Sequence, residues 1–334
     1  MQSILDSWLV GDDTLKLCNY MCLDWSNQKV NWTYDKPKEL NFKKKIKWRS
    51  MGIEILVCGN ITNNKTKCQY NYIHTPILKS NLQKCIRRGL TKTALSTAKV
   101  MIKTDFIELI RRLSIIMLED CTLHESFNIL VWMIAAYPDW QPTKCHANWL
   151  LSLVKYLSNL KVRDLYLKEE FDFKTNLKEI NLLTNCQKNL IYSMYFRTSY
   201  GGMKCDMLMI KYLIKLWINR FETNTNLDNI YTPIIPYTEK ILNIKTNQIE
   251  LSAVDFHCYP QILNLIQYKF DDYEIEDIKN AIWYYRSSKN NKIIINTHLN
   301  LNDFIDYDKK YLNIWTDIKT EVENLSKYFI SKLN

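Results

Sequence analysis

The sequence predicts a mainly α-helical protein, a multi-helix bundle with a small mixed α/β portion at its N-terminal end and a helical C-terminal portion. Apolar side chains recur at helical spacing from about residue 77 to 221, whereas runs that alternate like strands occur before residue 75. Six glycines and seven prolines among 334 residues leave little room for the turns that an all-β fold requires. A chain of this length, with 47% hydrophobic residues, can bury a substantial core and is expected to form more than one domain.

Two strands are predicted in the first 75 residues, which we expect to form a small, basic mixed α/β region. The segment 25–34 partly alternates, and the segment 52–61 is a short apolar run with a glycine near each end. Between them lies a basic stretch, 36–49, in which Trp48 is one of the aromatic residues among the lysines. Such aromatic side chains either stack on unpaired bases or belong to the core of a small sheet whose lysines reach water.

Three linked helices are predicted next along the chain. Leu78, Leu82 and Ile86 fall on one face of the first helix, and Gly89 follows it as a C-terminal stop. An apolar stripe marks the second helix, and Thr104 or Asp105 is placed to cap the N-terminus of the third. Further helices are predicted at 124–136, 146–159, 176–196 and 203–221.

A change of composition marks a boundary at 223–237. This segment is polar at its start and contains prolines at its end, which is typical of a connection between domains. Beyond it, helices are predicted at 273–288 and 306–333, and a strand at 291–299. The expected domains are 1–75, 76–222 and 238–334.

Positive charge is concentrated in the first third of the chain. Residues 36–112 hold 18 lysines and arginines against 4 acidic residues, whereas residues 271–334 hold 9 against 11. This asymmetry makes a polyanion the first partner to consider, because neutralised phosphates release counterions, and the alternative is a solvated lysine-rich surface. The residues that we expect to contact nucleic acid are Lys43, Lys44, Lys45, Lys47, Arg49, Arg87 and Arg88, with Trp48 as a stacking partner.

Ten cysteines occur without a CxxC motif or another regular framework. In a chain of this size without a signal peptide, they are expected to be buried free thiols in a reducing compartment, the cytoplasm or nucleus. The longest apolar run, 127–137, is too short to span a bilayer, so no membrane partner is expected. Frequent Lys, Asn, Ile and Tyr are typical of an AT-rich genome, such as that of a large DNA virus or a parasite, which makes a virion or viral factory the alternative location.

The segment 80–120 carries a pattern that is more specific than composition. It combines a Ser-x-Leu-x-Lys-x-Ile-Arg opening, an Ala-Leu pair and an Arg-Arg-Leu run that ends in Glu-Asp. The residues that match are Ser80, Leu82, Lys84, Ile86, Arg87, Ala94, Leu95, Arg111, Arg112, Leu113, Glu119 and Asp120. The segment resembles the helical oligomerisation region that follows the ATPase core in the RarA/MgsA/Werner-interacting family of clamp-loader-like AAA+ proteins.

The resemblance implies helix packing and subunit assembly for this segment, and it transfers no catalytic residue. The ATPase core is absent, because the chain contains no GxxxxGK[ST] loop to cradle phosphates. The region before residue 80 is also too short for an AAA+ core. A loader-type helical module that does not hydrolyse ATP by itself is therefore expected.

Arginines near the ends of the predicted helices have three kinds of partner available, namely C-terminal carbonyl groups, carboxylates and phosphates. Pairing inside the protein is favoured for any one of them, because a buried acidic side chain must be matched by a cation. Glu108 lies four residues before Arg112, the favoured direction for a helical ion pair. The predicted structural ion pairs involve Glu108, Arg111, Arg112, Glu119 and Asp120.

Asp255, His257 and Cys258 lie close together and are the candidate metal ligands of the sequence. A zinc site needs a second cluster at suitable spacing, and the available candidates are 144–146 and the distant His298. We therefore expect no metal here, and His257 is expected on a buried turn, hydrogen-bonded to the backbone. No Ser/His/Asp motif, nucleotide-binding glycine loop or paired-carboxylate signature occurs, so neither a cofactor nor catalysis is expected.

Together these features favour a non-enzymatic protein that binds nucleic acid or joins an assembly in DNA replication or repair. The basic residues of 36–112 would contact phosphates, and the apolar helical faces would mediate assembly with protein partners or with further copies of the chain. A structural or virion-associated interaction protein of a large DNA virus is the alternative. A metal-dependent nuclease built around Asp255 and His257 is the third hypothesis.

Overall fold

The computed structural model describes residues 19–37, 40–48, 53–61, 74–165, 180, 182–199, 202–241, 244–245, 248–295 and 306–333. Within these ranges the protein is mainly α-helical, as predicted, with ten α-helices and a small mixed sheet of four strands. No described helix combines the length and the apolar character that crossing a lipid bilayer requires.

The chain folds into two compact units, and each unit is assembled from three separate stretches. The sheet unit comprises Met1–Thr66, Leu113–His146 and Leu165–Ile234, and the C-terminal unit comprises Lys67–Arg112, Ala147–Asp164 and Ile235–Asn334. The three consecutive domains expected from composition do not correspond to these units. Composition can mark a break along the chain, but it gives no sign that distant stretches return to the same core.

Most helices lie where apolar periodicity predicts them, but the helix predicted at 176–196 begins at Asn185 and the short helix Gln261–Gln267 is not predicted. The helices are α1 (Thr75–Arg88), α2 (Thr91–Thr104), α3 (Phe106–Asp120), α4 (Ser126–Ala136), α5 (Lys144–Asn159), α6 (Asn185–Ser199), α7 (Lys204–Thr223), α8 (Gln261–Gln267), α9 (Ile275–Ile282) and α10 (Asp306–Ser331). A short 3-10 turn (Leu251–Ala253) precedes α8, and a π-helical turn (Trp283–Ser287) continues α9. The division into units falls inside α3 and near the start of α5, so these two helices contribute to both.

The main sheet contains β1 (Tyr20–Asp24), β2 (Lys29–Thr33), β3 (Phe42–Trp48) and β4 (Ile53–Asn60), in the order β2-β1-β4-β3. The central strands β1 and β4 are parallel, and the two outer strands pair antiparallel with them. The sequence predicts β2 and β4, but it predicts neither β1, which precedes the alternating segment, nor β3, which lies in the basic stretch. Four of the seven residues of β3 are lysines, so the apolar alternation of a half-buried strand is missing, although lysine is common on edge strands.

The inner face of the sheet is buried against helices of the same unit. Every residue of α4 is buried, which explains its uniformly apolar sequence. The Trp132 indole of α4 donates a hydrogen bond to the Cys58 carbonyl of β4 at 2.8 Å. On β2, the Trp32 indole donates to Ser193 Oγ of α6 at 3.0 Å, and the Trp32 backbone NH donates to Asn189 Oδ1 at 3.0 Å. Both of these indoles are therefore hydrogen-bonded, and truncating either tryptophan to alanine typically costs about 3–5 kcal/mol.

In the C-terminal unit, two local sequence signals mark helix ends as predicted. Gly89 follows α1 with a φ of 75°, a left-handed conformation that favours glycine, and its NH returns to the carbonyl groups of Cys85 and Ile86. Asp105 precedes α3, and its carboxylate accepts from the Glu108 backbone NH at 3.4 Å, as an N-cap does. Both positions are confirmed as helix boundaries.

A second apolar cluster holds the late helices of the C-terminal unit together. Its buried members come from α8, α9 and α10 and are Ile262, Ile266, Ile278, Ala281, Ile282, Tyr311, Ile314, Ile318 and Val322. The predicted strand at 291–299 is reduced in the described residues to β6 (Ile293–Ile294), which pairs in parallel with β5 (Val162–Arg163).

The His124 ring is buried in the sheet unit and carries its hydrogen on Nε2. Its Nδ1 accepts from the Ser126 backbone NH at 3.1 Å, and its Nε2 lies 2.8 Å from the Thr232 carbonyl oxygen, which can only accept. Burial lowers the pKa of His124 to about 4, although the hydrogen bond with Thr232 opposes this shift. The fold therefore requires the neutral ring.

Acidification is expected to destabilise the protein before its carboxylates titrate, with His124 contributing a loss of up to roughly 3 kcal/mol. Below its ordinary pKa of 6.5 the unfolded histidine binds a proton, whereas the folded one does so only near its lowered pKa of about 4. The contribution of His124 to the free energy of unfolding is therefore complete above pH 6.5 and is lost as the pH falls from 6.5 to about 4. Urea denaturation at a series of pH values measures this, and His124→Gln should flatten the curve. An equally steep curve in the variant would contradict this role of His124.

Candidate nucleic-acid interface

Three predicted lysines lie on one face of the edge strand β3. Side chains alternate along a strand, so Lys43, Lys45 and Lys47 share the outer face, and all three are exposed. Successive members are two residues, or about 6.6 Å, apart along the strand. The face is continued on β2 by Lys29, which is exposed and pairs in register with Asp24. We call Lys29, Lys43, Lys45 and Lys47 the lysine face.

Lys29 is the member of the lysine face that the sequence-based selection missed. It lies outside the basic stretch 36–49, and only the pairing order of the strands brings it to the same face as β3. The partial alternation of 25–34 could have indicated its outward direction, because Val30 and Trp32 are the buried positions of that strand.

Two carboxylates lie on the same face of the sheet, Asp24 beside Lys29 and Glu54 beside Lys47, and Glu54 pairs with a member of the lysine face. Glu54 of β4 contacts Lys45 Nζ at 3.2 Å, with both side chains more than half exposed. A surface pair of this kind contributes about 0–1 kcal/mol, so a phosphate can replace the carboxylate at little cost.

Lys44 points to the inner face, and its selection as a nucleic-acid contact is corrected. Its Nζ donates to the Tyr137 carbonyl at 2.8 Å and to the Ala136 carbonyl at 3.5 Å, at the C-terminal end of α4. Asp139 lies 3.4 Å from the same ammonium group. A cation at this end of a helix satisfies orphan carbonyl groups and complements the helix dipole. Lys44 therefore stabilises the sheet unit.

Two further predicted residues lie at the end of β3 or beyond it. Trp48 is the last residue of the strand and pairs with Ile53 in the antiparallel ladder. Arg49 lies outside the described residues. Base stacking by Trp48 and phosphate contact by Arg49 stay predictions.

Arg87 and Arg88 are engaged inside the C-terminal unit. The Arg87 side chain is buried, with 4% of the residue exposed, and its Nη1 donates to the Ser287 carbonyl at 2.5 Å. Arg88 Nη2 donates to the Arg286 carbonyl at 2.6 Å, and Nη1 donates to Ser252 Oγ. These contacts tie the end of α1 to segments that follow residue 250. Because their donors face the protein, we correct their placement at a phosphate-binding surface.

The predicted ion pairs of α3 are partly rearranged. Glu108 pairs with Lys79 at 2.6 Å and with Arg111 at 3.7 Å, while Arg112 donates to Gln83 Oε1 at 3.3 Å. Burial raises the pKa of Glu108, but the hydrogen bond and the charge of Lys79 outweigh it and lower the pKa overall. At the end of the helix Asp120 is buried and Glu119 is half-buried, and the pairing expected of these two carboxylates stays a prediction.

The candidate metal ligands take part in a buried ion pair instead. Lys84 Nζ contacts Asp255 Oδ2 at 2.5 Å, with exposed fractions of 6% and 1% for the two side chains. Ser287 Oγ donates to the same carboxylate at 2.9 Å, and the His257 backbone NH donates to its other oxygen at 2.9 Å. The Cys258 thiol faces the Pro76 carbonyl at 3.4 Å.

Both Asp255 oxygens accept from protein donors, and no group of three or more histidine, cysteine or acidic side chains is arranged to hold a metal ion within the described residues. The expectation that His257 is buried and hydrogen-bonded to the backbone is corrected, because its side chain is 52% exposed and its Nδ1 faces Asp255 Oδ1 at 3.2 Å. His298, the distant second candidate, lies outside the described residues.

A polar cleft adjoins the lysine face beside β2 and the start of α4. Lys29, Asn31, Glu125 and Asn128 are among the residues that line it. Asn128 Oδ1 is buried and has no hydrogen-bond partner within the described ranges. Burial raises the pKa of Glu125, and the charge of Lys29 opposes this shift. The cleft therefore places acceptor groups next to the cations of the sheet.

No protein-family model, no curated protein and no solved structure matches this chain. The resemblance of residues 80–120 to the clamp-loader-like AAA+ proteins therefore stays a prediction. The three linked helices expected for that segment are present as α1, α2 and α3.

Replacing Lys44 is expected to destabilise the protein, whereas replacing its neighbour Lys45 is not. Lys44→Met removes an ammonium donor from carbonyl groups at a helix end and should cost about 1.5–3 kcal/mol of unfolding free energy. Lys45→Met, on the opposite face of the same strand, should change it by less than about 0.5 kcal/mol. Urea denaturation of both variants measures the difference. Equal effects would show that the two lysines do not face opposite sides of the sheet.

The Lys84–Asp255 pair is expected to show strong coupling. Burial alone would raise the pKa of Asp255, but its hydrogen bond with His257 and the charge of Lys84 lower it, so the carboxylate is ionised at neutral pH. Lys84→Met or Asp255→Asn leaves a buried partner unmatched and should cost about 3–5 kcal/mol. The double variant should lose clearly less than the sum of the two. Additive losses would contradict a direct buried pair.

The single and double variants of Lys84 and Asp255 form a double-mutant cycle. The partly exposed pair of Lys79 and Glu108 provides a matched control for it. The same substitution types, Lys79→Met and Glu108→Gln, should couple by only about 0.2–1 kcal/mol, because water screens that pair. Thermal or urea unfolding of the six single and double variants completes the comparison.

Proposed function

We propose that the protein binds nucleic acid through the lysine face of its sheet. The observation that supports this most directly is the arrangement of Lys43, Lys45 and Lys47, three exposed ammonium groups on one side of one strand. A strand fixes the spacing and direction of its side chains, so these charges act as a set and not as independent surface lysines. Lys29 extends the set across the sheet to β2.

The chemistry of this face favours phosphate contacts over base recognition. Lysine binds phosphate as a point charge, and neutralising several phosphates releases counterions without reading sequence. We therefore expect strong salt dependence and little sequence preference.

The cellular setting that we propose is DNA replication or repair, and it rests on the resemblance of residues 80–120 alone. Assembly with protein partners or further copies of the chain belongs to the same proposal. The binding proposal itself rests on the sheet and requires neither of these.

A structural explanation of the same lysines exists and makes different predictions. Charged side chains on an edge strand prevent the sheets of two molecules from pairing. β3 is an edge of the main sheet among the described strands, so its lysines suit this role as well. If that is their whole purpose, removing them should promote self-association and leave nucleic-acid binding unchanged.

The decisive variant replaces Lys43, Lys45 and Lys47 with glutamine. Its binding to fluorescent single-stranded DNA, duplex DNA and RNA is compared with that of the unmodified chain over a series of salt concentrations. We expect weaker binding and a slope of log affinity against log salt that is smaller by about 2 to 3, because about 0.7–0.9 ions are released per phosphate contact.

The matched control replaces Lys103, Lys319 and Lys327, three exposed helical lysines of the C-terminal unit, with glutamine. It removes the same net charge, so it should leave the salt slope nearly unchanged. An equal loss in both variants would reduce the interaction to net charge alone. Absence of binding at low salt, together with self-association of the β3 variant in light scattering, would establish edge protection instead.

A further inference from the structure

Two cysteines lie directly opposite each other on the central strands of the sheet. Cys22 of β1 and Cys58 of β4 are partners in the parallel register, and their Sγ atoms are 2.7 Å apart. Both are free thiols, and 36 residues separate them in sequence. Only the pairing of β1 with β4 brings them together.

The backbone geometry at this position suits a disulfide. Neighbouring strands lie about 4.8 Å apart, and a disulfide accepts Cα separations of about 4.4–6.8 Å. The two side chains project from the same face at the same level of the ladder, so forming the bond requires a shift of the sulfur atoms and no rearrangement of the strands.

The surroundings of the pair favour ionisation of one sulfur. Lys43 is the register partner of Cys58 on β3, so a cation lies beside the pair. The hydrogen bond with Cys22 and the charge of Lys43 lower the pKa of Cys58 against the opposing effect of burial. The same hydrogen bond, followed by burial and the neighbouring sulfur charge, raises the pKa of Cys22. Cys58 is therefore the more acidic sulfur of the pair.

Other described cysteines have different surroundings. Burial raises the pKa of Cys85 to about 12 and also raises the pKa of Cys258, as expected for inert core thiols. Cys145, Cys186 and Cys205 are exposed, contrary to the expectation that the cysteines are buried. Cys22 is half-buried and Cys58 is buried, so solvent reaches the pair through Cys22.

We propose that Cys22 and Cys58 form a redox-active dithiol site, which a peroxide oxidises to an intramolecular disulfide and a small dithiol reduces again. The site takes small oxidants, since Cys22, the more accessible of the two residues, is itself half-buried. It does not rest on nucleic-acid binding, although Lys43 contributes to both.

The oxidation is balanced by the peroxide. Proton transfer across the short sulfur–sulfur contact places the thiolate on Cys22, which attacks one peroxide oxygen and breaks the O–O bond. Cys22 becomes a sulfenic acid, and the departing hydroxide takes a proton to become water. The Cys58 sulfur then attacks the Cys22 sulfur, its proton joins the departing hydroxide, and a second water leaves. Two thiols and one hydrogen peroxide give one disulfide and two waters, and a dithiol such as dithiothreitol returns both hydrogens by exchange.

The test treats the full chain with hydrogen peroxide in small steps, blocks the remaining thiols by alkylation and maps the cysteines by mass spectrometry of unreduced digests. We expect a peptide pair linked through Cys22 and Cys58 to form before the exposed Cys145 and Cys205 are consumed. Its formation should remove two of the free thiols, and dithiothreitol should restore both. A Cys22–Cys58 pair that stays reduced while Cys205 is oxidised would overturn the proposal.

Variants separate a dithiol from a single reactive thiol. In Cys22→Ser no linked peptide should form and Cys58 should stay reduced, since the exposed partner is gone. In Cys58→Ala the Cys22 sulfenic acid should accumulate and be trapped by dimedone, because the resolving sulfur is missing. Cys205→Ser is the matched control and should behave like the unmodified chain. Equal oxidation of Cys22 with and without Cys58, ending in a mixed disulfide or sulfinic acid in both, would show a lone thiol and contradict the site.

Discussion

The inner face of the four-stranded sheet must be buried, and this constraint determines what its outer face can carry. Strand alternation sends Met21, Leu23, Ile55 and Val57 into the core against the apolar helix α4. The intervening positions then have to face outward, whatever their chemistry. Lys43, Lys45 and Lys47 of β3 and the cysteine pair of β1 and β4 occupy such positions, so one packing requirement creates the proposed binding face and the proposed redox site.

Cations close together in sequence have opposite roles because their partners differ. Lys84, Arg87 and Arg88 on α1 face carbonyl groups, a hydroxyl and the Asp255 carboxylate, which repay the desolvation of their charges. Lys43 and Lys47 project from the outer face of the sheet, so their ammonium groups stay hydrated. The high positive charge of 36–112 is therefore not one surface: Lys44, Lys84, Arg87 and Arg88 are structural, whereas Lys43, Lys45 and Lys47 on the sheet and helical lysines such as Lys103 are exposed.

Sequence patterns predicted the structural features that depend on neighbouring residues, and they missed the contacts between residues far apart in the sequence. Helical periodicity, Gly89 and Asp105 gave α1 and the start of α3, because those signals act within one or two turns. Lys44 could not be separated from Lys43 and Lys45 until β3 was known to be a strand. The partners of Arg87 and Arg88 lie 164 to 200 residues away, and Cys22 meets Cys58 only through strand pairing, so no spacing rule could have found either.

The interleaved path of the chain has a consequence for how the protein must be made. The stretch Lys67–Arg112 belongs to the C-terminal unit, yet it follows the strands of the sheet in the sequence and precedes α4, the helix that covers the sheet. The apolar face of the sheet thus leaves the ribosome before its cover exists, and α6 follows later still. Neither unit corresponds to a continuous piece of the gene, so no single cut can release one of them intact. The two units must therefore fold from one chain, and neither can be transferred to another protein as a single continuous segment.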